Sequence, residues 1–214
     1  MTNQRYTLFN YDHRPMVFVG DTYYNRMVYN NIHNDVSGCR IVRVEDIENN
    51  SQQWFDDHQF IAASSNVATK RFLTERIAKF KPKYFSVMGE GNKFDGANIG
   101  TGVFIENYNT MVCNDTNIGN HVTITNYVFF GHDATVGDYC HISGYSFISF
   151  SNIGDGACIA TRTSIVGKKN NIITTANDCN FIINSTVTKS IISTGTYFGN
   201  KRVSIESSIS YDIL

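Results

Sequence analysis

From about residue 97 onward a six-residue period governs the chain, and it constrains the fold more than any other feature. Ile118, Ile124, Phe130, Val136, Ile142 and Ile148 recur at steps of six without a break. Four positions after the first five of these stand Val122, Val128, Ala134, Cys140 and Ser146, all small or β-branched. The phase begins earlier, at Ile99, Ile105 and Met111, and continues less strictly at Ile153, Ile159 and Ile165. Ile-Gly or Val-Gly pairs punctuate it at 99–100, 118–119, 136–137 and 153–154. A helical period of 3.6 cannot hold this phase, and a hairpin meander needs stronger turn signals. Each hexad therefore reads as one flat side of a triangular coil, its large aliphatic pointing inward and its small residue at the corner. Three hexads close a turn, and successive coils stack about 4.8 Å apart as parallel strands. Between Ile148 and Ile153 the period is one residue short.

These repeats predict an all-β left-handed parallel β-helix over residues 91–214. The left hand is the habit of hexapeptide coils, against the usual right-handed crossover. Residues 1–90 read instead as a small α/β, Rossmann-like domain. MVFVG (16–20) is a short apolar strand ending in glycine, and DTYYNRMVYNNIH after it reads as a helix. Gln59 to Ala63 is a second strand. Asn66 then caps a helix through NVATKRFLTERIAKF, on which Val67, Phe72, Leu73, Ile77 and Phe80 approximate one face. KPKYFSVM (81–88) is a third strand, and Pro82 and the Gly89–Gly91 stretch mark the approach to the junction.

Lys plus Arg total 18 against 19 Asp plus Glu, so the chain lacks the basic excess of a general nucleic-acid or membrane-surface binder. Its start has no apolar leader, and no run approaches the length of a membrane span. A soluble, cytoplasmic protein is expected. Cys39, Cys113, Cys140, Cys158 and Cys179 are odd in number, and none forms a CxxC pair. They read as buried thiols rather than a zinc knuckle or a disulfide framework.

The order of parts resembles the NDP-sugar acetyltransferases of the PglD and NeuD type, over nearly the whole chain and more strongly after Asn98. The stretch FFGHDATVGDYCHIS, Phe129 to Ser143, resembles that family's His-Asp/Glu, Ile/Val-Gly, His-Ile/Val-Ser series. INSTVTKSI (183–191) and GTYFGNKRV (195–203) resemble its closing coils, with Lys201 where proline is usual. The resemblance implies an acetyl-CoA-dependent N-acetyltransferase for an NDP-linked amino-deoxysugar, first a UDP-4-amino-4,6-dideoxyhexose, working as a homotrimer with CoA between neighbouring β-helices. Acetylation of a sugar hydroxyl, as on sialic acid, and a non-catalytic trimeric β-helix scaffold remain alternatives.

Carried over by position, His132 matches the general base and Asp133 the acid that orients it. An ammonium has no lone pair, so an amine must lose a proton to attack a thioester, and an imidazole suits that step. His141 matches the histidine set against the thioester end of acetyl-CoA. Phe150 stands where a glycine N–H usually receives the oxyanion, and its ring is expected to narrow the acetyl pocket. CoA contacts are implied near Gly144, Ser149, Ala160 and Thr161, with Lys168 and Lys169 towards phosphates. Gly20, Asp21, Thr22, Ser65, Asn66 and Asn126 are implied to hold the nucleotide sugar, although only Gly20 survives of the glycine-rich turn. Asp21 there is expected to repel a diphosphate unless it turns away. The acidic strand end that usually follows reads as missing, with VSGCRIVRVEDI (36–47) leading straight to a later element. Tyr23 and Tyr24 read as core residues or as a stack for a base. His121 has no counterpart and reads as surface or interface. Some hexapeptide β-helices are carbonic anhydrases with three zinc-binding histidines. The spacing of His121, His132 and His141, 11 and 9 residues, matches that arrangement poorly.

Overall fold

The computed structural model describes residues 6–33, 38–94, 96–108, 110–113 and 115–204. The chain opens with strand β1 (Tyr6–Phe9) and enters the α/β unit at β2 (Met16–Val19). Helix α1 (Tyr23–Ile32), β3 (Arg40–Val42), α2 (Val44–Ile47), α3 (Gln52–Asp56), β4 (Gln59–Ile61), α4 (Val67–Ile77) and β5 (Lys83–Tyr84) follow. The four strands β3-β2-β4-β5 form one parallel sheet in that order. Alternation along β2 splits the core. Met16 and Phe18 pack with Val28 and Ile32 of α1, while Val17 and Val19 pack with Val44, Ile47, Phe55, Leu73 and Ile77. The segment read as leading straight to a later element does contribute a strand, β3, whose Val42 carbonyl accepts the Gly20 N–H at 2.8 Å.

The expected third strand divides in two. Lys83–Tyr84 joins β4, whereas β6 (Ser86–Gly89) pairs in parallel with Phe104–Ile105 and antiparallel with β1. Phe85, fully buried between them, marks the handover from one sheet to the next.

From β6 to Val203 the chain is a parallel β-solenoid of about six turns with three faces. The first face holds β6, Phe104–Ile105, Thr123–Ile124, His141–Ile142, Cys158–Ile159, Asn180–Phe181 and Thr196–Phe198, closed by the antiparallel Lys201–Val203. The second runs from Lys93–Phe94 through Met111–Val112, Phe129–Phe130, Phe147–Ser149 and Ser164–Val166 to Thr186–Val187. The third runs from Asn98–Ile99 through Asn117–Ile118, Ala134–Val136 and Ser151–Ile153 to Ile173–Thr174. The hexad aliphatics Ile118, Ile124, Phe130, Val136, Ile142 and Ile148 form the buried axis, and the companion series Val122 to Ser146 is buried beside them. The corners are turned by the residue before each companion: His121, Tyr127, Asp133, Tyr139 and Tyr145 all have positive φ. Pairing steps by 18 residues from Thr123 to His141, by 17 from His141 to Cys158, and by 22 from Cys158 to Asn180. The short coil is the one with Phe150 at its corner, and the long one carries a hairpin at Lys168–Asn171.

Candidate active site

His132 and Asp133 form the corner between the second and third faces, and both are exposed. Asp133 makes the turn with φ 54°, a conformation that short polar side chains tolerate. Neither side chain has a hydrogen-bond or ion-pair partner among the described residues, so the imidazole is open to a substrate. The corner is held from the next coil. Phe150 N–H donates to the His132 carbonyl at 2.8 Å, and Ser151 N–H donates to the Asp133 carbonyl at 3.2 Å. The Ser149 hydroxyl also donates to the His132 carbonyl, at 3.4 Å.

This geometry corrects the role implied for Phe150. Its N–H is engaged with the His132 carbonyl and is not directed at an oxyanion. Because the coil is one residue short, Phe150 alone turns the corner, with φ 47°, and its ring centroid lies 6.4 Å from that of His132. One coil further, Gly167 N–H donates to the Ser149 carbonyl and Ile173 N–H to the Phe150 carbonyl. Between them Lys168 and Asn171 exchange backbone hydrogen bonds of 3.1 and 2.8 Å, which leaves Lys168 and Lys169 exposed on the same column as His132.

Asn126, Gly144, Ala160 and Thr161 lie on a different corner, between the first and second faces. Gly144 is there because coils approach closely: a Cβ on it would meet the Asn126 carbonyl oxygen at 2.8 Å. Ala160 N–H is spent on the Phe181 carbonyl at 2.9 Å, which removes it as a CoA donor. The second face joins the two corners and is lined by aromatic ladders. Phe129 lies tilted against Phe147 at 5.1 Å and Tyr127 stacks over Tyr145 at 5.1 Å, with Arg162 above Tyr145. Met111, Tyr108, Tyr127, Phe129 and Tyr145 are all exposed.

Of the residues implied for the nucleotide sugar, Gly20, Asp21, Thr22, Ser65 and Asn66 stand at the C-terminal ends of β2 and β4, where open parallel sheets bind ligands, while Asn126 lies on the solenoid corner instead. Gly20 has φ 83°, and a Cβ on it would lie 2.8 Å from Leu73 Cδ1. Thr22 caps α1 by accepting from Asn25 N–H at 3.1 Å, and its hydroxyl donates to the Ala63 carbonyl at 2.5 Å. Buried Asn25, which the sequence reading passed over, clamps the turn. Its amide nitrogen reaches the Val19 and Gly20 carbonyls, both at 2.8 Å, and its oxygen accepts from Ala63 N–H. Asp21 is tied to Arg26, which holds its carboxyl below the usual range and offsets the expected repulsion of a diphosphate. Asn66 acts as the cap of α4, accepting from Thr69 N–H at 3.0 Å, and half-buried Ser65 precedes it.

His141 is placed elsewhere than the resemblance implies. It points outward from the first face, which the α/β unit covers, and is buried beneath α4. Its Nε2 meets the Ser143 hydroxyl at 3.1 Å, while its Nδ1 has no partner. His121 is buried in the same seam, edge-on to Tyr84 and stacked on Tyr139, rather than on the surface. Lys70, the central residue of α4's inner face, is fully buried there as well. His132 and His141 are therefore not on one face of the chain.

No protein-family model matches the sequence, and no curated protein matches it either. Solved structures do. WeeI from Acinetobacter baumannii superposes with a TM-score of 0.73 at 17% identity, covering 88% of this chain and 98% of that one. A GDP-perosamine N-acetyltransferase from Caulobacter crescentus, solved with CoA and GDP-perosamine, gives 0.65 at 12% identity, covering 85% and 92%. The chain has the fold of these proteins. The match spans both the α/β unit and the solenoid, so the order of parts is shared as well as the repeats.

Among the described residues no group of His, Cys, Asp and Glu is arranged to hold a metal ion, and no helix is long and apolar enough to cross a membrane. A depression of about 520 Å³ opens at the first coil, between Thr7, Phe9, Met88 and Phe94, and includes none of the candidate residues.

Proposed function

We propose that the protein is an acetyl-CoA-dependent N-acetyltransferase acting on the amino group of a nucleotide-linked amino-deoxysugar, with His132 as the general base. The observation that carries this reading is the exposed, unengaged imidazole of His132, held by its backbone at the edge of an open aromatic face. The whole-chain likeness to a fold solved with CoA and GDP-perosamine supports it. In this reading the four-stranded parallel unit is a Rossmann-like domain and the solenoid coils wind left-handed. The nucleotide lies on the Gly20–Thr22 and Ser65–Asn66 turns.

In one chain the His132 corner and the Asn126–Gly144 corner stand on opposite edges of the second face. A homotrimer, in which the aromatic ladders of that face meet a second copy, brings the two corners together and buries the exposed rings. His132 then accepts a proton from the substrate amine as its nitrogen attacks the thioester carbonyl, and the imidazolium returns it to the CoA sulfur as the carbon–sulfur bond breaks, so that CoA leaves as the thiol. Asp133 orients the imidazole once the site is closed. Acetyl-CoA as donor fits a cytoplasmic enzyme.

The test is thiol release from acetyl-CoA in the presence of amino sugars. The resemblance points to UDP and the solved neighbour carries GDP, so the substrates tried span UDP-, GDP- and TDP-linked forms. Stimulation by at least one is expected, and none across the set overturns the reading.

A further inference from the structure

Glu106 follows the Phe104–Ile105 strand, where the chain leaves the first face for the second. Its backbone is committed: the N–H donates to the Ile124 carbonyl at 2.9 Å, and the carbonyl accepts from Asn92 Nδ2 at 2.8 Å. Its carboxyl is half-buried and receives the Asn126 backbone N–H. It also lies close enough to the Tyr6 and Tyr24 phenols to help push their pKa values up, that of Tyr6 to about 12. Among the described residues no lysine, arginine or histidine forms an ion pair with it. Burial pushes the carboxyl's own pKa up, opposed by the Asn126 N–H. A carboxylate withdrawn from water beside phenols, with no cation, is in a costly position that a cation would relieve.

The surroundings suit an organic cation. Tyr24 lies against Phe104 with ring centroids 5.0 Å apart, and Tyr23 meets Tyr24 edge-on at 5.2 Å. Tyr23 is 71% exposed, so this wall of rings opens to solvent. Both tyrosines begin α1, directly after the Gly20–Thr22 turn, so a group attached to a ligand on that turn is led towards Glu106. Aromatic faces attract ammonium groups, and most strongly where water is excluded.

We propose that Glu106, beside Tyr6 and Tyr24, is an ammonium-binding subsite that takes the amino group of the nucleotide-linked sugar before acetylation. This rests on the function proposed above and extends it, because it assigns the preference for an amine over a hydroxyl to a named residue. Glu106 is a binding residue; proton removal stays with His132. As the carboxylate it favours the protonated, incoming form of the sugar.

The experiment measures binding by calorimetry of a UDP- or GDP-linked amino sugar and of the same nucleotide sugar with hydroxyl in place of the amine. The unaltered protein and Glu106→Gln are compared, alongside KM for both substrates. Glu106→Gln keeps an acceptor for the Asn126 N–H, and its melting temperature reports on folding. The unaltered protein is expected to prefer the amine by roughly 10- to 100-fold, and Glu106→Gln to abolish most of that preference while leaving the acetyl-CoA KM unchanged. On the unaltered protein alone, the preference is expected to fade as acidification protonates the carboxyl. Turnover of an amino sugar with the same amine preference in Glu106→Gln overturns the subsite and leaves the acetyltransferase reading standing. An unaltered protein that neither binds nor acetylates any amino sugar overturns that reading and the subsite with it.

Discussion

Lys70 Nζ donates a 2.7 Å hydrogen bond to the Cys140 carbonyl, across the seam between α4 and the first face of the solenoid. A second, longer bond of 3.3 Å reaches the Thr123 hydroxyl. Among the described residues no carboxylate pairs with the amine, so it is buried among neutral partners, and burial pushes its pKa down to about 7 from an ordinary 10.5. Between those two values the unfolded chain binds more protons than the folded one, so stability rises with pH across that window. Below pH 7 both states hold the proton and the penalty is complete. Lys70→Met is expected to flatten this rise and to be at least as stable at pH 7, because the Cys140 carbonyl keeps the Thr123 N–H at 2.9 Å. Lys70→Ala leaves a cavity and is expected to cost about 2–4 kcal/mol. Urea unfolding at pH 7 and pH 10 checks both, and an unchanged pH slope in Lys70→Met would contradict the account.

The same seam predicts acid sensitivity. Burial, and then the Lys70 charge, push His121 down to about 4 and His141 down to about 3. Asp138 partly offsets this for His121, and the Thr123 backbone partly offsets it for His141. Both rings stay neutral in the fold and gain protons near 6.5 when unfolded, so stability falls as pH drops from 6.5 towards 4. His141→Gln and His121→Gln are each expected to make that decline shallower. Melting temperatures from pH 7 to pH 4.5 decide it; parallel curves for variant and parent would sink the idea.

The solenoid was legible because each coil repeats one requirement, an inward aliphatic every six residues, and a single slip at Phe150 showed directly as a 17-residue step. The seam was not legible. Nothing in the pattern marks polar Lys70 and Thr123 as buried, and the resemblance sets His141 against acetyl-CoA, yet the α/β unit covers all three. On α4 the expected apolar face included Phe72, which is 47% exposed with Arg76 over its ring, while the buried stripe is Lys70, Leu73, Thr74 and Ile77. Docking against two surfaces at once overrides the simple amphipathic pattern. His132 follows inward Phe130 by two and sits at a corner, whereas His141 precedes inward Ile142 and lies on a flat face, where the covering α/β unit encloses it.

Gly20→Ala tests the turn proposed to hold the nucleotide. The substitution forces a side chain into a positive φ and against Leu73 Cδ1. A loss of about 1–3 kcal/mol is expected, with weaker nucleotide-sugar binding because the Asn25 clamp holds that same turn. Adding Leu73→Ala removes the contact but not the backbone strain, so it should recover none of the φ penalty. Binding at full recovery in the double variant would show that only the contact mattered.

Phe150 separates backbone from side chain at the His132 corner. Phe150→Gly keeps the N–H to the His132 carbonyl and suits φ 47°, so the fold is expected to hold within about 1 kcal/mol. Phe150→Pro loses that N–H and cannot adopt the angle, so a loss of about 3 kcal/mol or more is expected, together with most activity. Equal stability of the two variants would mean that the hydrogen bond does not hold the corner.

His132→Ala is the sharpest test of the proposed chemistry, because its side chain carries none of the fold. The ring is exposed and makes no hydrogen bond, and the bonds that fix the corner use the His132 carbonyl, which alanine retains. Melting temperature and oligomeric state should therefore stay those of the parent, while acetyl transfer falls roughly 10²–10⁴-fold if His132 is the general base. Asp133→Asn should lower turnover less and keep the corner, since asparagine also accepts a positive φ. Alkaline pH supplies more free amine, so the defect of His132→Ala is expected to shrink as pH rises, whereas a residue needed only to shape the site would leave a constant defect. A parent-like rate in His132→Ala at neutral pH would remove it as the base.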